Sequence, residues 1–478
     1  MKSQPNPDKF VLETEAAKIA QIMGNKGNFE LYRQLLFDLL FLKALNVQSP
    51  PGLVLPPESW RRLMTNIDNP GIVGIAFTSM LELSKRNIFV KGIYKKDSSI
   101  VQYSAIIVKE IIKFLDSLPF EDIGNIDLYA RLFEFLQSGV GAARSGNFFT
   151  PDCVAKLLVE LLRPLHGEIY DPCCGTGTIL FHAVQYNKQH SDMKKIAIFG
   201  EEGNDFLHRL CRMNLMLQGV DSKIKFNSDG SLLASAFPKL KADFILANPP
   251  YNQKYWGREN LMRDPRLIFG IPTDNNGNYA WIQHIVYHLS PCGKAGILLP
   301  VGSLAPNNHA DRKIRNSLVE SGLVESIILL PNRLFYSTAI PVCLWIIAKD
   351  HSRTGKRDKE ILFIDASQFG IKISRKNIAL TPNDIKRISG VYSNWRDAQS
   401  TYKDVPLLCK SISYDEIKKK KYSLIPGQYI DIPKVKFSED DETFKRKMRE
   451  IRREIKTYVD KEETLDREIQ EEMEALGF

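Results

Sequence analysis

Gly167-Glu-Ile-Tyr-Asp171-Pro172-Cys173-Cys174-Gly175-Thr176-Gly177-Thr178, running into Ile179-Leu-Phe-His-Ala-Val184, is the stretch that decides the fold. Its first four residues read as a short strand, the glycine-containing segment as a loop, and the apolar run as the opening of a helix. That succession predicts a doubly wound α/β domain with a nucleotide-type ligand site at the strand's carboxyl end. Gly175 and Gly177 let backbone come close to a ligand, and Asp171 can hold an ammonium or a hydroxyl. A pyrophosphate loop would show Gly-x-Gly-x-x-Gly or a lysine after the last glycine. Neither is present.

Three acidic or amide positions follow at successive strand ends. Ile196-Ala-Ile-Phe-Gly-Glu201-Glu202 ends in a carboxylate suited to ribose hydroxyls, with Glu202 the better candidate. Asp229, after the strand-like Ile224-Lys-Phe226, can accept from an adenine amino group. Asn248-Pro249-Pro250-Tyr251 ends the apolar run Phe244-Ile-Leu-Ala247. An amino group conjugated to a ring or carbonyl has a delocalised lone pair, so it attacks a methyl donor only when acceptors hold its N–H bonds. The Asn248 side-chain oxygen and the Pro249 carbonyl supply such acceptors, and Tyr251 offers a face for a planar substrate. By itself Asn-Pro-Pro also suits an ordinary strand-ending turn, and a lone Glu202 or Asp229 a solvated loop. Their order after a glycine loop is what joins them.

Asp-Pro-Cys-Cys-Gly-Thr-Gly followed by Asn-Pro-Pro-Tyr resembles the signature pair of S-adenosylmethionine-dependent DNA adenine-N6 methyltransferases. Gly146-Asn-Phe-Phe149-Thr150-Pro151 looks like the element that such enzymes place ahead of the cofactor loop, an order that matches the gamma class. The resemblance implies a Rossmann-like methyltransferase domain in which Phe149, Thr150, Pro151, Cys173, Thr176 and Thr178 join Asp171, Gly175, Gly177, Glu202 and Asp229 at the cofactor. More closely, the chain looks like the modification subunit of a type I restriction–modification system. That match extends to Asn28–Lys43, Arg212–Gly219, Leu334–Pro341 and Tyr422–Tyr429. Gly200-Glu201 departs from the family's usual Gly-Gln, and residues 46–135 resemble it less. The partners implied are double-stranded DNA, a specificity subunit, a second modification subunit and an ATP-dependent restriction subunit. A protein-glutamine or RNA methyltransferase, or an idle scaffold, remains the alternative.

Composition agrees with a folded enzyme of about three domains: 478 residues, 44% hydrophobic, net charge +9. The charge favours a polyanionic partner mildly, with Lys418–Lys421 and Lys372–Lys376 as basic runs that suit phosphates or simply a solvated face. Seven cysteines with no Cys-x-x-Cys spacing predict reduced thiols, no metal site and a cytoplasmic setting. No run of about twenty apolar residues addresses a membrane.

The chain divides into an N-terminal helical domain over 1–140, in which Leu35, Leu36, Leu39, Leu40 and Leu42 share an apolar face, a catalytic domain over 141–350, an α+β extension over 351–435 and a helical tail over 436–478. In the tail Phe444, Met448, Ile451, Ile455 and Tyr458 recur at helical spacing, suited to docking on this protein's own body or on a partner's helices. A polar insertion, Asn252 to Asn278, carries Trp256, Arg258, Arg263 and Arg266. It is sited to order over substrate or touch DNA, or is an inert surface loop. Phe335 or Tyr336 would form the second face of a base sandwich with Tyr251, or pack in the core.

Overall fold

The computed structural model describes residues 16–24, 29–47, 59–87, 90–91, 93–94, 100–118, 132, 136, 150–191, 195–220, 222–335, 340–349, 359–373, 377–397, 399, 402–431 and, in the tail, 446, 448–454, 456–457 and 465. Two compact units result, Met1–Asp431 and Ile432–Phe478. The tail residues described between 446 and 457 are helical.

A nine-stranded sheet organises the larger unit. Its strands are β1 (Gly167–Asp171), β2 (Ile196–Glu202), β3 (Ser222–Phe226), β4 (Ala242–Ala247), β5 (Leu289–Pro300), β6 (Val324–Leu329), β7 (Val342–Ala348), β8 (Glu360–Asp365) and, after the small β9–β10 pair (Ile371–Lys372 and Ile378–Ala379), β11 (Cys409–Ser413). The spatial order is β11-β8-β6-β7-β5-β4-β1-β2-β3. The α/β architecture expected from the strand–loop–helix reading is therefore present, but the sheet is not wholly parallel. β7 runs antiparallel to both β5 and β6. Residues 330–341 join β6 to β7, and none of those described is helical, so the chain turns back beside β6 instead of crossing over. The sheet also continues past residue 350, since β8 pairs in parallel with β6 and β11 closes the edge against β8.

Every residue of β7 is buried, as suits a central strand covered on both faces. Glu325 on β6 is fully buried too, and its carboxylate accepts from Tyr392 Oη and Arg396 Nε, each at 2.8 Å. Both donors sit on one long helix, Pro382–Arg396, whose start is fixed by a Thr381–Asp384 capping box with proline at the first turn. A charge inside a sheet is thus neutralised by the helix laid over it.

Ahead of the sheet lie, among other described helices, α1 (Phe29–Val47), α2 (Ser59–Thr65), α3 (Ile72–Arg86) and α4 (Ala105–Ser117). The single apolar face expected of α1 is an underestimate. Leu39 to Leu45 are buried without a break, because α2, α3, α4 and the helix Asp205–Leu217 surround it. That last helix has two apolar faces. Phe206, Leu207, Leu210, Met213 and Leu217 join the core of the N-terminal helices, whereas Cys211 and Leu215 pack toward the sheet. Arg209 strengthens the junction by donating from Nη1 to Asp38 Oδ1 at 3.0 Å and to the Ile93 carbonyl at 3.1 Å.

Candidate active site

β1 and β4 are parallel neighbours, with Tyr170 opposite Ile245, so the loop after Asp171 and the turn at Asn248 leave the same edge of the sheet. They meet there. The Cys173 N–H donates to Asp171 Oδ1 at 3.0 Å, and the thiol lies beside both the Asp171 carboxylate and the backbone N–H of Asn248. Burial first, then the nearby Asp171 and Glu202 carboxylates, push this thiol far up, so it stays neutral and serves as a link between the two turns.

Within the loop, Gly175 and Gly177 adopt φ of +55° and +81°, the left-handed region that favours glycine. Gly177 opens the helix Thr178–His190, and a Cβ there would lie 2.7 Å from Cys211 Sγ. At Gly175 a Cβ would meet no atom within 4 Å, so open space borders the loop backbone. The Gly175 N–H donates to Glu202 Oε2 at 2.9 Å, and the Thr176 carbonyl accepts from Asn214 Nδ2 at 2.7 Å. Thr176 and Thr178 share a hydroxyl contact of 3.2 Å. Asp171 is 1% exposed, and burial, with a smaller push from Glu202, raises its carboxyl to about 7 against the pull of the Cys173 N–H. Glu202 is likewise raised by burial. Asp229 is exposed on the turn closed by Gly230 N–H to the Asn227 carbonyl.

The preference for Glu202 over Glu201 has a structural counterpart. Adjacent strand residues point oppositely, and Glu201 is buried among four donors: Tyr170 Oη at 2.7 Å, Asn227 Nδ2 at 2.6 Å, Ser235 Oγ at 3.0 Å and the Ala236 N–H at 2.9 Å. Its task is to hold the residues that flank Asp229.

In the turn, Asn248 and Pro249 are buried. Asn248 Nδ2 donates to Thr150 Oγ1 at 2.9 Å, which puts Thr150, beside Pro151, directly against the candidate catalytic amide. Tyr251 is 7% exposed, donates to Asn248 Oδ1 and meets Phe335 edge to face, with ring centroids 6.2 Å apart and planes at 78°. The two aromatic residues are brought together, but not as the parallel walls of a slot. Phe149 and Tyr336 lie outside the described residues.

The insertion is anchored, not loose. Trp256 is buried with Leu232, Leu261, Ala280 and Trp281 and donates to the Thr273 carbonyl at 2.8 Å. Arg258 Nε donates to the Pro272 carbonyl, Arg263 is exposed, and Arg266 is buried. Arg266 is a residue whose place the sequence reading missed; the signal was Asp264 two positions earlier, a spacing at which an aspartate and an arginine pair locally, here at 2.8 Å. Among the described residues no cluster of His, Cys, Asp and Glu could hold a metal, and no helix is long and apolar enough to cross a membrane.

A family model described as N-6 DNA Methylase matches residues 124–438. The chain belongs to that family. It is similar to the type I restriction enzyme HindI methylase subunit of Haemophilus influenzae, 35% identical over 362 residues that cover 74% of this chain and 80% of that protein. The MjaIX methylase subunit of Methanocaldococcus jannaschii is 33% identical over 363 residues, which span 74% of this chain but 64% of the longer relative. In fold it resembles the type I restriction–modification methyltransferase subunit of Streptococcus thermophilus, with a TM-score of 0.67, 23% identity and coverage of 89% of this chain and 92% of that one. The expectation of a type I modification subunit is met, and this N-6 DNA methylase is by family an adenine-specific DNA methyltransferase. Its mostly parallel sheet is the scaffold that the motif pair implied.

Proposed function

We propose that this methylase transfers a methyl group from S-adenosylmethionine to N6 of an adenine turned out of the DNA duplex. The observation that carries the reading is the contact of Cys173 with both Asp171 and Asn248, which ties the cofactor loop to the catalytic turn. Bound S-adenosylmethionine supplies an electrophilic methyl on sulfonium. Its ammonium suits Asp171, its ribose Glu202 and its adenine Asp229, with Gly175, Gly177, Thr176, Thr178 and the 149–151 element completing the pocket. The open space against Gly175 fits this assignment.

N6 of a paired adenine is buried in the stack, so the base must leave it. Asn248 Oδ1 and the Pro249 carbonyl would then hold the amino group, with Tyr251 and one of Phe335 and Tyr336 against the ring. No strong base is required, because the proton departs after nitrogen has become cationic. Sequence choice belongs to a separate specificity subunit flanked by two modification subunits, with residues 436–478 docking on partner helices, and an ATP-dependent restriction subunit joins the assembly. The setting is cytoplasmic.

The test is methyl incorporation into DNA by the purified full chain, with and without its co-purifying partner, followed by nucleoside analysis. N6-methyladenine is expected. N4-methylcytosine, or no incorporation under either condition, would overturn the proposal.

A further inference from the structure

Arg266 is 7% exposed, and its guanidinium reaches three separate parts of the chain. Nε and Nη2 donate to the Asp264 carboxylate, each at 2.8 Å, which neutralises the buried charge and fixes the plane of the fork. Nη1 donates to the Ser231 carbonyl at 2.8 Å and Nη2 to the Leu232 carbonyl at 2.5 Å. Those carbonyls directly follow Asp229 and Gly230, and Ser231 Oγ in turn donates to the Pro172 carbonyl of the cofactor loop at 2.5 Å.

The third direction is a hydrogen-bond chain whose polarity is forced. Arginine has no acceptor, so the 2.9 Å contact of Nη1 with His284 Nδ1 makes Nδ1 the acceptor and leaves the proton on Nε2. Burial, reinforced by the nearby His288 and Arg266, lowers His284 and keeps it neutral. Nε2–H then points to Tyr170 Oη at 3.4 Å, and Tyr170 donates to Glu201 Oε1 at 2.7 Å. Tyr170 precedes Asp171, and Glu201 precedes Glu202. One cation in the insertion therefore lies beneath the segments that present all three candidate cofactor carboxylates.

We propose that Arg266 is a positioning residue for the cofactor site, one that sets the Asp229 turn against the loop at 171–178 and so governs recognition of the adenine end. The inference rests on the cofactor reading given above. Lysine could keep the charge opposite Asp264 but not the planar fork that engages two carbonyls and an imidazole together.

The experiment measures binding of S-adenosylhomocysteine and of its analogue with hypoxanthine in place of adenine, by calorimetry, to the full chain and to the Arg266→Gln and Arg266→Lys variants. Asp229 accepts from an adenine amino group that hypoxanthine lacks, so the unaltered protein should prefer the adenine ligand. Both variants should lose about tenfold in affinity for it, the size of one or two lost hydrogen bonds, and the preference should shrink with it. Arg266→Lys, the milder change, gives the reading if Arg266→Gln does not fold. Affinity and preference both retained in a folded variant would overturn the proposal. So would an equal loss for both ligands, which would mark a general loosening, or an unaltered chain that binds both alike, which would remove Asp229 from adenine recognition. Failure of the unaltered chain to bind either ligand would instead overturn the cofactor reading on which this one stands.

Discussion

Tyr251 donates its phenolic hydrogen to Asn248 Oδ1 at 2.6 Å, so the oxygen proposed to receive the target amine is already engaged within the protein. An amide oxygen accepts two hydrogen bonds, so a base entering the site either takes its second lone pair or displaces that hydroxyl. The ring and the hydroxyl therefore have separable effects. Tyr251→Phe keeps the aromatic face and the packing while freeing the acceptor, and methyl transfer should stay within a few-fold of the parent. Tyr251→Ala removes a stacking surface worth about 1–3 kcal/mol and leaves a cavity in the core. It should lose at least about tenfold in single-turnover methylation and melt lower. Equal inactivity of the two variants would assign the work to the hydroxyl.

Asn248→Ala addresses the acceptor itself. Removing one oriented group that stabilises developing charge typically costs about 100- to 1,000-fold in rate. The expected result is loss of methylation of that order, with affinity for S-adenosylhomocysteine nearly unchanged, because Asp171, Glu202 and Asp229 lie on other segments. Parallel loss of binding and turnover would contradict the assigned role.

Asp171 predicts a trade between stability and binding. Burial holds its carboxyl at about 7 in the folded chain, against an ordinary aspartate value of 3.8. Between those values the folded state carries more proton than the unfolded one, so stability contributed by this group falls as pH rises through the window. Asp171→Asn cannot ionise. Its melting temperature relative to the parent should therefore rise from pH 5 to pH 8, while affinity for S-adenosylhomocysteine is lost at both. A difference that does not change with pH would show that Asp171 titrates normally.

Which parts of this arrangement could be read from residue order alone follows from their physics. The loop at 171–178 and the turn at 248 each end a strand of a parallel pair, and parallel strands must deliver their carboxyl ends to one edge, so their proximity was legible. Alternation along β2 sends Glu201 and Glu202 to opposite sides, but which of them meets Asn227 and Ser235 is visible only in the fold. The antiparallel return of β7 depends on a connection that no apolar pattern encodes. Arg266 was misjudged for a related reason: a polar loop with three arginines looks like a surface, and only the fold shows that the carbonyls of Ser231 and Leu232 wait for one of them. Continuous burial of α1 was hidden because helices distant in sequence supply its far side.

The two loop glycines should fail in different ways. Alanine at either one meets left-handed backbone, a strain of about 1–2 kcal/mol. At Gly175 the added methyl enters the open space beside the loop, so Gly175→Ala should fold with a modest drop in melting temperature yet lose cofactor affinity. At Gly177 the methyl would also strike Cys211 Sγ on the helix Asp205–Leu217, forcing that helix or the loop to move. Gly177→Ala should therefore be the more destabilised of the two in thermal melts. Adding Cys211→Ala removes the collision but not the backbone strain, so the double variant should recover part of the loss and still melt below the parent. Recovery to the full parental value would mean that contact with the thiol, and not the left-handed conformation, is what reserves position 177 for glycine.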